Sequence, residues 1–329
     1  MATYKEIQGE AVVNTSSDIT SGEGQVYYNT TGNTFSLNAK TPSTGVWSTG
    51  GNMAQARYQL GGAGLQTAAL GFGGSPPPAG RNNTEEYDGS SWSTGGTLGT
   101  ARWGVEGNGT QTAGLAAGGK APPGVVTSTE EYDGSSWTAG GNLSGARREG
   151  GTAGTQTASF YTTGQIISGA TPNATEEYNG SSWTAGGNLG TGRYGAGGTG
   201  SQTAGLAFGG ATTPPYTVTA LTEEYDGSSW TAGGALGTAR YGMAPAVSGT
   251  QTAALSAGGA GGTSATEGYD GSSWSTLANL GTATYRFGGA GTQAAGIGFG
   301  GGPAASGGKT TTQEFTGPDV VQIETIDVT

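Results

Sequence analysis

Along most of the chain, large apolar residues alternate with small or polar ones in runs of seven to nine, separated by turn-forming pairs. "QTAGLAFGG" (202–210) sets Ala204, Leu206 and Phe208 on one face and Thr203, Gly205, Ala207 and Gly209 on the other, the period-two signature of a strand. The run at 66–74 repeats it, with Ala68, Leu70 and Phe72 opposite Thr67, Ala69, Gly71 and Gly73. No stretch of about 12 residues carries apolar positions at i, i+3 and i+4, so almost no helix is expected. After "QTAGLAFGG" the pattern predicts a strand at "TEEYDG" (222–227), closed by the hairpin pair Asp226-Gly227. A strand at "SSWTAGG" (228–234) follows, with Trp230 as its large residue, and then one at "TARYG" (238–242).

This four-strand unit repeats. "TEEYDGSSW" stands at 84–92, 129–137 and 222–230, as "TEEYNGSSW" at 175–183 and as "TEGYDGSSW" at 266–274. Trp47, Trp92, Trp137, Trp183, Trp230 and Trp274 keep a spacing of 44 to 47 residues. Such a period belongs to solenoids, arrays or propellers. A strand with one large and one small face suits sheets stacked around an axis, which places "QTAGLAFGG" innermost and "TARYG" outermost.

The Gly-Gly pairs at 73–74, 118–119, 209–210, 258–259 and 300–301 are each followed by a Tyr or Phe strand. In the complete units the tyrosines Tyr87, Tyr132, Tyr178, Tyr225 and Tyr269 each lie five residues before a Trp. One unit departs, reading "QTASFYTTG" (156–164) with Thr163 for the first glycine. Over residues 43–316 this set resembles the kelch repeat, and the resemblance implies a β-propeller. The expected fold is therefore all-β, a six-bladed kelch-type propeller over 43–317. Its first and second strands from the C-terminal end (293–301 and 310–317) would complete third and fourth strands around Trp47 and Arg57, leaving no open edge at the seam.

A charge pattern runs through the units. Sixteen residues separate the second glutamate of each motif from an arginine: Glu86 and Arg102, Glu131 and Arg147, Glu177 and Arg193, Glu224 and Arg240, with Glu314 placed for Arg57. Where Gly268 replaces the glutamate, Thr284 replaces the arginine. Joint loss predicts pairing within a blade; the competing explanation is two independently solvated charges per unit.

Composition changes the picture mainly by exclusion. The 329 residues include 70 Gly, no Cys and no His, with a net charge of −11. The absence of histidine removes the usual general base and metal ligand. Copper oxidases built on kelch propellers need histidine ligands and a cysteine, so that activity is excluded. The few basic residues are scattered, which argues against nucleic acid, and no apolar run approaches 18 residues, which argues against membrane insertion. Asp88, Asp133, Asn179, Asp226 and Asp270 read as hairpin residues rather than calcium ligands. No cofactor, metal or catalytic residue is expected, since the glutamates repeat in every unit and a catalytic site breaks symmetry.

The variable connections lie between Gly-Gly and the next Thr-Glu, and strand direction brings all of them to one face. They carry Arg81, Lys120 and Tyr216, the candidate receptor-binding residues. At the ends, residues 1–42 read as a polar arm followed by a hairpin at "GQVYYNTTGNTFSLN" (24–38), and 318–329 as one further strand through "VVQIETIDVT". Assigned to a blade of its own, that strand would make the count seven. With these ends and its near-identical units, the chain resembles kelch-like structural proteins of marine bacteriophages. The resemblance implies a virion part (tail fibre, spike or capsid decoration) made in the host cytoplasm without a signal peptide. Its partners would be other virion proteins through the N-terminal arm and a host-surface glycan or protein through the loops, with a homo-oligomer compatible. An intracellular interaction propeller is the alternative, and a carbohydrate-active propeller enzyme the third reading.

Overall fold

A computed structural model describes residues 13–15, 26–29, 34–39, 44–75, 80–260, 263–302, 308–318 and 322–326. Among them there is no helix, as the apolar spacing predicts. Residues 46–316 form one compact unit of six four-stranded sheets, a six-bladed propeller. From the axis outward, blade one is Gly61–Leu65, Ala68–Phe72, Thr84–Tyr87 and Trp92–Thr94. Blade two is Glu106–Gly109, Gly114–Ala117, Thr129–Tyr132 and Trp137–Ala139. Blades three, four and five begin at Gly151, Gly197 and Ala244 and end on strands led by Trp183, Trp230 and Trp274.

The blades begin one strand earlier than the apolar pattern predicts. "QTAGLAFGG" is the second strand of its blade, and the innermost is the preceding Gly197–Ser201. The expected outermost strand, "TARYG", lies in the connection to the next blade. Crowding at the axis explains why the pattern misses the inner strand. A Cβ on Gly62 would stand 2.4 Å from the Gly289 carbonyl oxygen, and one on Gly198 2.5 Å from the Thr152 amide nitrogen. Neighbouring inner strands approach so closely that glycine is the residue that fits, and a glycine-rich strand shows no apolar alternation.

The seam differs in the same way. Blade six takes Gly288–Gly291, Ala295–Phe299 and Thr312–Thr316 from the C-terminal end and only the outermost strand, Val46–Gly50, from the N-terminal end. Closure is three strands plus one, not two plus two. Phe315 faces Trp47 in the register, with ring centroids 5.1 Å apart.

The repeated motif is a set of contacts between blades. Each Trp donates its indole N–H to the motif threonine of the preceding blade, as Trp137 does to Thr84 at 2.9 Å and Trp92 to Thr312 at 2.9 Å. Each motif tyrosine donates to the second glutamate of the preceding blade: Tyr87 to Glu314 at 2.5 Å, Tyr178 to Glu131 at 2.5 Å, Tyr269 to Glu224 at 2.6 Å, and likewise Tyr132 to Glu86 and Tyr225 to Glu177. A glutamine at each inner hairpin reaches two carbonyls of the preceding blade, as Gln111 does to Ala69 (3.1 Å) and Tyr87 (2.7 Å).

The arginines therefore have partners other than those the 16-residue spacing predicts. Arg57 pairs with Glu85 (2.8 Å), Arg102 with Glu130 (3.1 Å), Arg147 with Glu176 (2.5 Å), Arg193 with Glu223 (2.6 Å) and Arg240 with Glu267 (2.5 Å). Each arginine sits in a connection and binds the first glutamate of the blade it leads into. The expected pairs Glu86–Arg102, Glu131–Arg147, Glu177–Arg193, Glu224–Arg240 and Glu314–Arg57 do not form, because the second glutamates accept from tyrosine instead. All five guanidinium groups are buried. Burial pulls the Arg57 guanidinium down to about 10, with Glu85 opposing that shift.

One junction lacks both contacts. Between blades five and six, Gly268 stands where a second glutamate would be, and Phe315 stands where its tyrosine donor would be. Thr284 replaces the arginine, and Gln313 replaces the glutamate that would pair with it, its amide oxygen accepting from the Thr282 N–H at 2.9 Å. The single missing glutamate is thus matched by a missing hydroxyl across the junction.

Residues 1–45 and 317–329 make a second unit. The predicted hairpin is present as Val26–Asn29 against Thr34–Ala39, with Tyr28 opposite Phe35. Gln322–Ile326 adds to Thr34–Ala39, and Val13–Thr15 runs parallel to Val26–Asn29. The last strand therefore belongs to this sheet and starts no seventh blade. Residues 1–12 and 16–25 of the expected arm lie outside the described residues.

Candidate functional site

Connections from each outermost strand to the next innermost strand cross the same face as the variable loops and turn down at the axis. One residue per blade makes that turn in a left-handed backbone conformation: Gln59, Gly104, Glu149, Gly195, Gly242 and Arg286, with φ between 53° and 63°. Their peptide groups form a closed ring. Gly104 donates to Gln59 O (2.8 Å), Glu149 to Gly104 O (2.9 Å), Gly195 to Glu149 O (2.6 Å) and Gly242 to Gly195 O (2.8 Å). Arg286 donates to Gly242 O (2.6 Å), and Gln59 closes the circle on Arg286 O (2.7 Å). Glycine accepts this conformation freely, whereas Gln59, Glu149 and Arg286 hold it at a cost of about 1–2 kcal/mol each. Strain of this kind gathers at functional sites.

The three strained residues bring their side chains together. Gln59 Nε2 and Arg148 Nη1 both donate to Glu149 Oε1 at 2.5 Å. Arg286 Nη2 stands 3.5 Å from Glu149 Oε2, an oxygen that is buried and accepts no hydrogen bond. Glu106 completes the group. It begins the inner strand of blade two opposite Ala117, in a register position where three other blades set a phenylalanine against a glycine. A Cβ on Gly61 would stand 2.4 Å from the Phe72 ring, so a side chain fits there only where the ring is absent. Ala117 leaves that room, and Glu106 takes it.

Glu106 and Glu149 line an axial cavity together with Gln59, Leu60, Val105 and Arg286. Part of Glu106 is free of contact although protein surrounds it, so its free surface faces the cavity. Burial, and then the neighbouring Glu149 charge, push the Glu106 carboxyl well above its ordinary 4.5. Burial and then Glu106 push the enclosed Tyr161 phenol up as well.

Beside Arg286 and the Glu149-bound Arg148 stand aromatic rings and a further cation. The Arg148 guanidinium lies 4.7 Å and Lys120 Nζ 5.1 Å from the Trp103 ring centre. Arg286 lies 6.0 Å from Tyr241 and 5.7 Å from Tyr285, within the range of cation–π attraction. Tyr241 in turn contacts Tyr194 at 5.5 Å and Tyr216 at 6.1 Å.

Of the three loop residues singled out in the sequence, Lys120 and Tyr216 reach the edge of this cluster. Arg81 does not join it and donates to Gln55 Oε1 at 2.7 Å. Residues 76–79 of its loop lie outside the described residues. Glu106, Glu149, Arg148 and Arg286 escape a reading that follows the motif glutamates. Aligning the residue that ends each connection exposes Glu149 and Arg286, because that column reads Gln, Gly, Glu, Gly, Gly, Arg. Asp88, Asp133, Asn179, Asp226 and Asp270 each accept from the amides of the two following serines, as Asp88 Oδ1 does from Ser90 and Ser91 at 2.8 Å. Those amides hold the Asp88 carboxyl down to about 2. No group of three or more acidic side chains placed to hold a metal exists among the described residues.

No protein-family model matches the sequence, and no curated protein does. Among solved structures, one described as "Structure of YjhT" superposes with a TM-score of 0.69. It shares 11% identity and covers 84% of this chain and 99% of that one. At that identity the likeness carries the fold alone, and the fold is the six-bladed propeller.

Proposed function

We propose that the chain is a virion component of a bacteriophage, a fibre, spike or decoration protein, whose propeller presents its loop face to the host surface. One observation supports this most. The contacts between blades repeat almost unchanged around the ring, while the departures from symmetry gather on a single face. The Lys120 and Tyr216 loops, the aromatic rim and the strained Gln59, Glu149 and Arg286 all share that face. A ring that keeps its interfaces uniform and diversifies one side is built to hold that side out to a partner. The unit formed by residues 1–45 and 317–329 is then the part that docks to the particle.

Mass spectrometry of purified virions tests the reading, and the chain should be present in stoichiometric amount. Replacing "ATTPPYTVTAL" (211–221) by "AGGTSA" should leave the fold intact, because connection length costs little, and should reduce attachment to host cells. Absence from virions, or attachment unchanged by this swap and by Arg148→Ala, would refute the reading.

A carbohydrate-active propeller is the second reading, favoured by the axial carboxyl pair Glu106 and Glu149. Two carboxyls in one cavity, one of them raised by burial, is the kind of pair general acid–base chemistry uses. Glycoside turnover that is lost in Glu149→Gln would decide for it.

A further inference from the structure

We propose that the axial cavity behind the loop face, about 60 Å³ in volume, admits the hydroxyl-bearing edge of the terminal residue of a neutral glycan, its hydroxyls hydrogen-bonded to Glu106, Glu149 and Arg286. This deepens the attachment reading above and rests on it for the source of the sugar.

The unsatisfied atoms define the ligand. Glu149 is 5% exposed and its Oε2 accepts no hydrogen bond. Arg286 Nε is buried and donates none. Glu106 lines the same cavity, and among the described residues none hydrogen-bonds its carboxyl. Acceptors and a donor thus converge on one space. A cation entering it would meet Arg286, and an anion would meet two carboxyl groups. A hydroxyl group both donates and accepts, so a polyol can satisfy the whole set. A zwitterion would require ionised carboxyls around its ammonium, whereas burial and Glu149 favour the neutral form of Glu106.

Shape narrows the class further. The closed hydrogen-bond ring of the six connections encircles the mouth, so a glycan enters by its end. The Tyr241 and Tyr285 rings lie 6.0 Å and 5.7 Å from the Arg286 guanidinium, so aromatic surface stands next to a residue that lines the cavity. Because Glu106, Glu149 and Arg286 occur once each around the ring, one propeller holds one sugar residue.

The test is titration of the full chain with methyl β-D-galactopyranoside, methyl α-D-glucopyranoside and methyl N-acetyl-β-D-glucosaminide, followed by saturation-transfer NMR, with glycine as the zwitterionic control. At least one glycoside should bind in the millimolar range. Glu149→Gln and Arg286→Lys should each weaken it roughly tenfold or more, as loss of a hydrogen bond to a charged group does. Glu106→Gln should bind nearly as well as the parent, since an amide also donates and accepts, and Glu106→Leu should not bind. If the Glu149 and Arg286 variants fold poorly, the Gln and Leu pair at 106, which breaks no ion pair, carries the test.

Failure of all three glycosides to bind, equal binding by the parent and Glu106→Leu, or binding of glycine in their place overturns the proposal. Virion attachment that survives Glu106→Leu removes the axial site while leaving the adhesion reading in place. Sugar binding by a chain absent from virions does the reverse.

Discussion

Arg240 illustrates what a single side chain contributes to this ring. Its guanidinium is 1% exposed and meets Glu267 at 2.5 Å, so removing it leaves a carboxylate buried without its counter-ion. Arg240→Ala should destabilise the propeller by about 3–5 kcal/mol, measured by urea unfolding. A double-mutant cycle with Glu267 should show strong coupling, and one with Glu224 should be close to additive; the reverse would discredit the pairing. Glu106 gives a prediction of opposite sign. Its folded-state value lies above 4.5, so between that pH and the folded value the native state retains a proton that the unfolded chain has lost. Stability therefore falls as pH rises through this window, and the loss persists above it. Glu106→Gln should accordingly raise the melting temperature at pH 8 and leave it nearly unchanged at pH 4. An equal effect at both values would show that the carboxyl is not held neutral. Residues were legible in the sequence where chemistry repeats and obscure where it does not. Gly268 in place of glutamate and Thr284 in place of arginine together mark a real junction. Gly268 corresponds to Phe315 and Thr284 to Gln313, two residues of one strand, so the correlation arises from a shared partner strand rather than mutual contact.

Among elements, the inner strands and the turns that feed them decide both architecture and site. The outer three strands could be read because Leu, Phe, Tyr and Trp alternate along them with small or polar residues. The inner one was unreadable because close approach at the axis strips it to glycine, and the predicted frame slipped by one strand as a result. The same slip hides the site, since the pattern predicts a strand where the connecting turn lies. At that turn Gln59, Glu149 and Arg286 hold φ near 54°, where the other three blades have glycine. Restoring the symmetric residue at all three positions should relieve about 1–2 kcal/mol per site and remove the buried ion pairs together rather than one at a time. The triple glycine variant is expected to melt at a higher temperature and to lose glycoside binding. A lower melting temperature would mean that the cluster stabilises the ring, and a functional role would no longer be needed to explain its strain.

At the scale of the whole molecule, closure depends on one short strand. Val46–Gly50 completes blade six against Thr312–Thr316, so deleting residues 310–329 should unfold the propeller cooperatively at a much lower temperature. Deleting residues 1–20 should have a small effect by comparison. Equal effects in calorimetry would exclude the three-plus-one seam. The junction without charges has a consequence for how that seam is found. Five junctions use interchangeable partners, and side-chain chemistry alone does not stop a folding chain from docking a blade against the wrong neighbour. Blade six is different. Set against blade two, Phe315 would leave Glu131 without the phenol it accepts from, and Gln313 would leave Arg147 without a counter-ion. Only blade five, carrying Gly268 and followed by Thr284, offers it a neighbour with nothing to strand. The final blade is in this sense addressed to one position, and the number of blades between the two ends is fixed by a pair of uncharged residues.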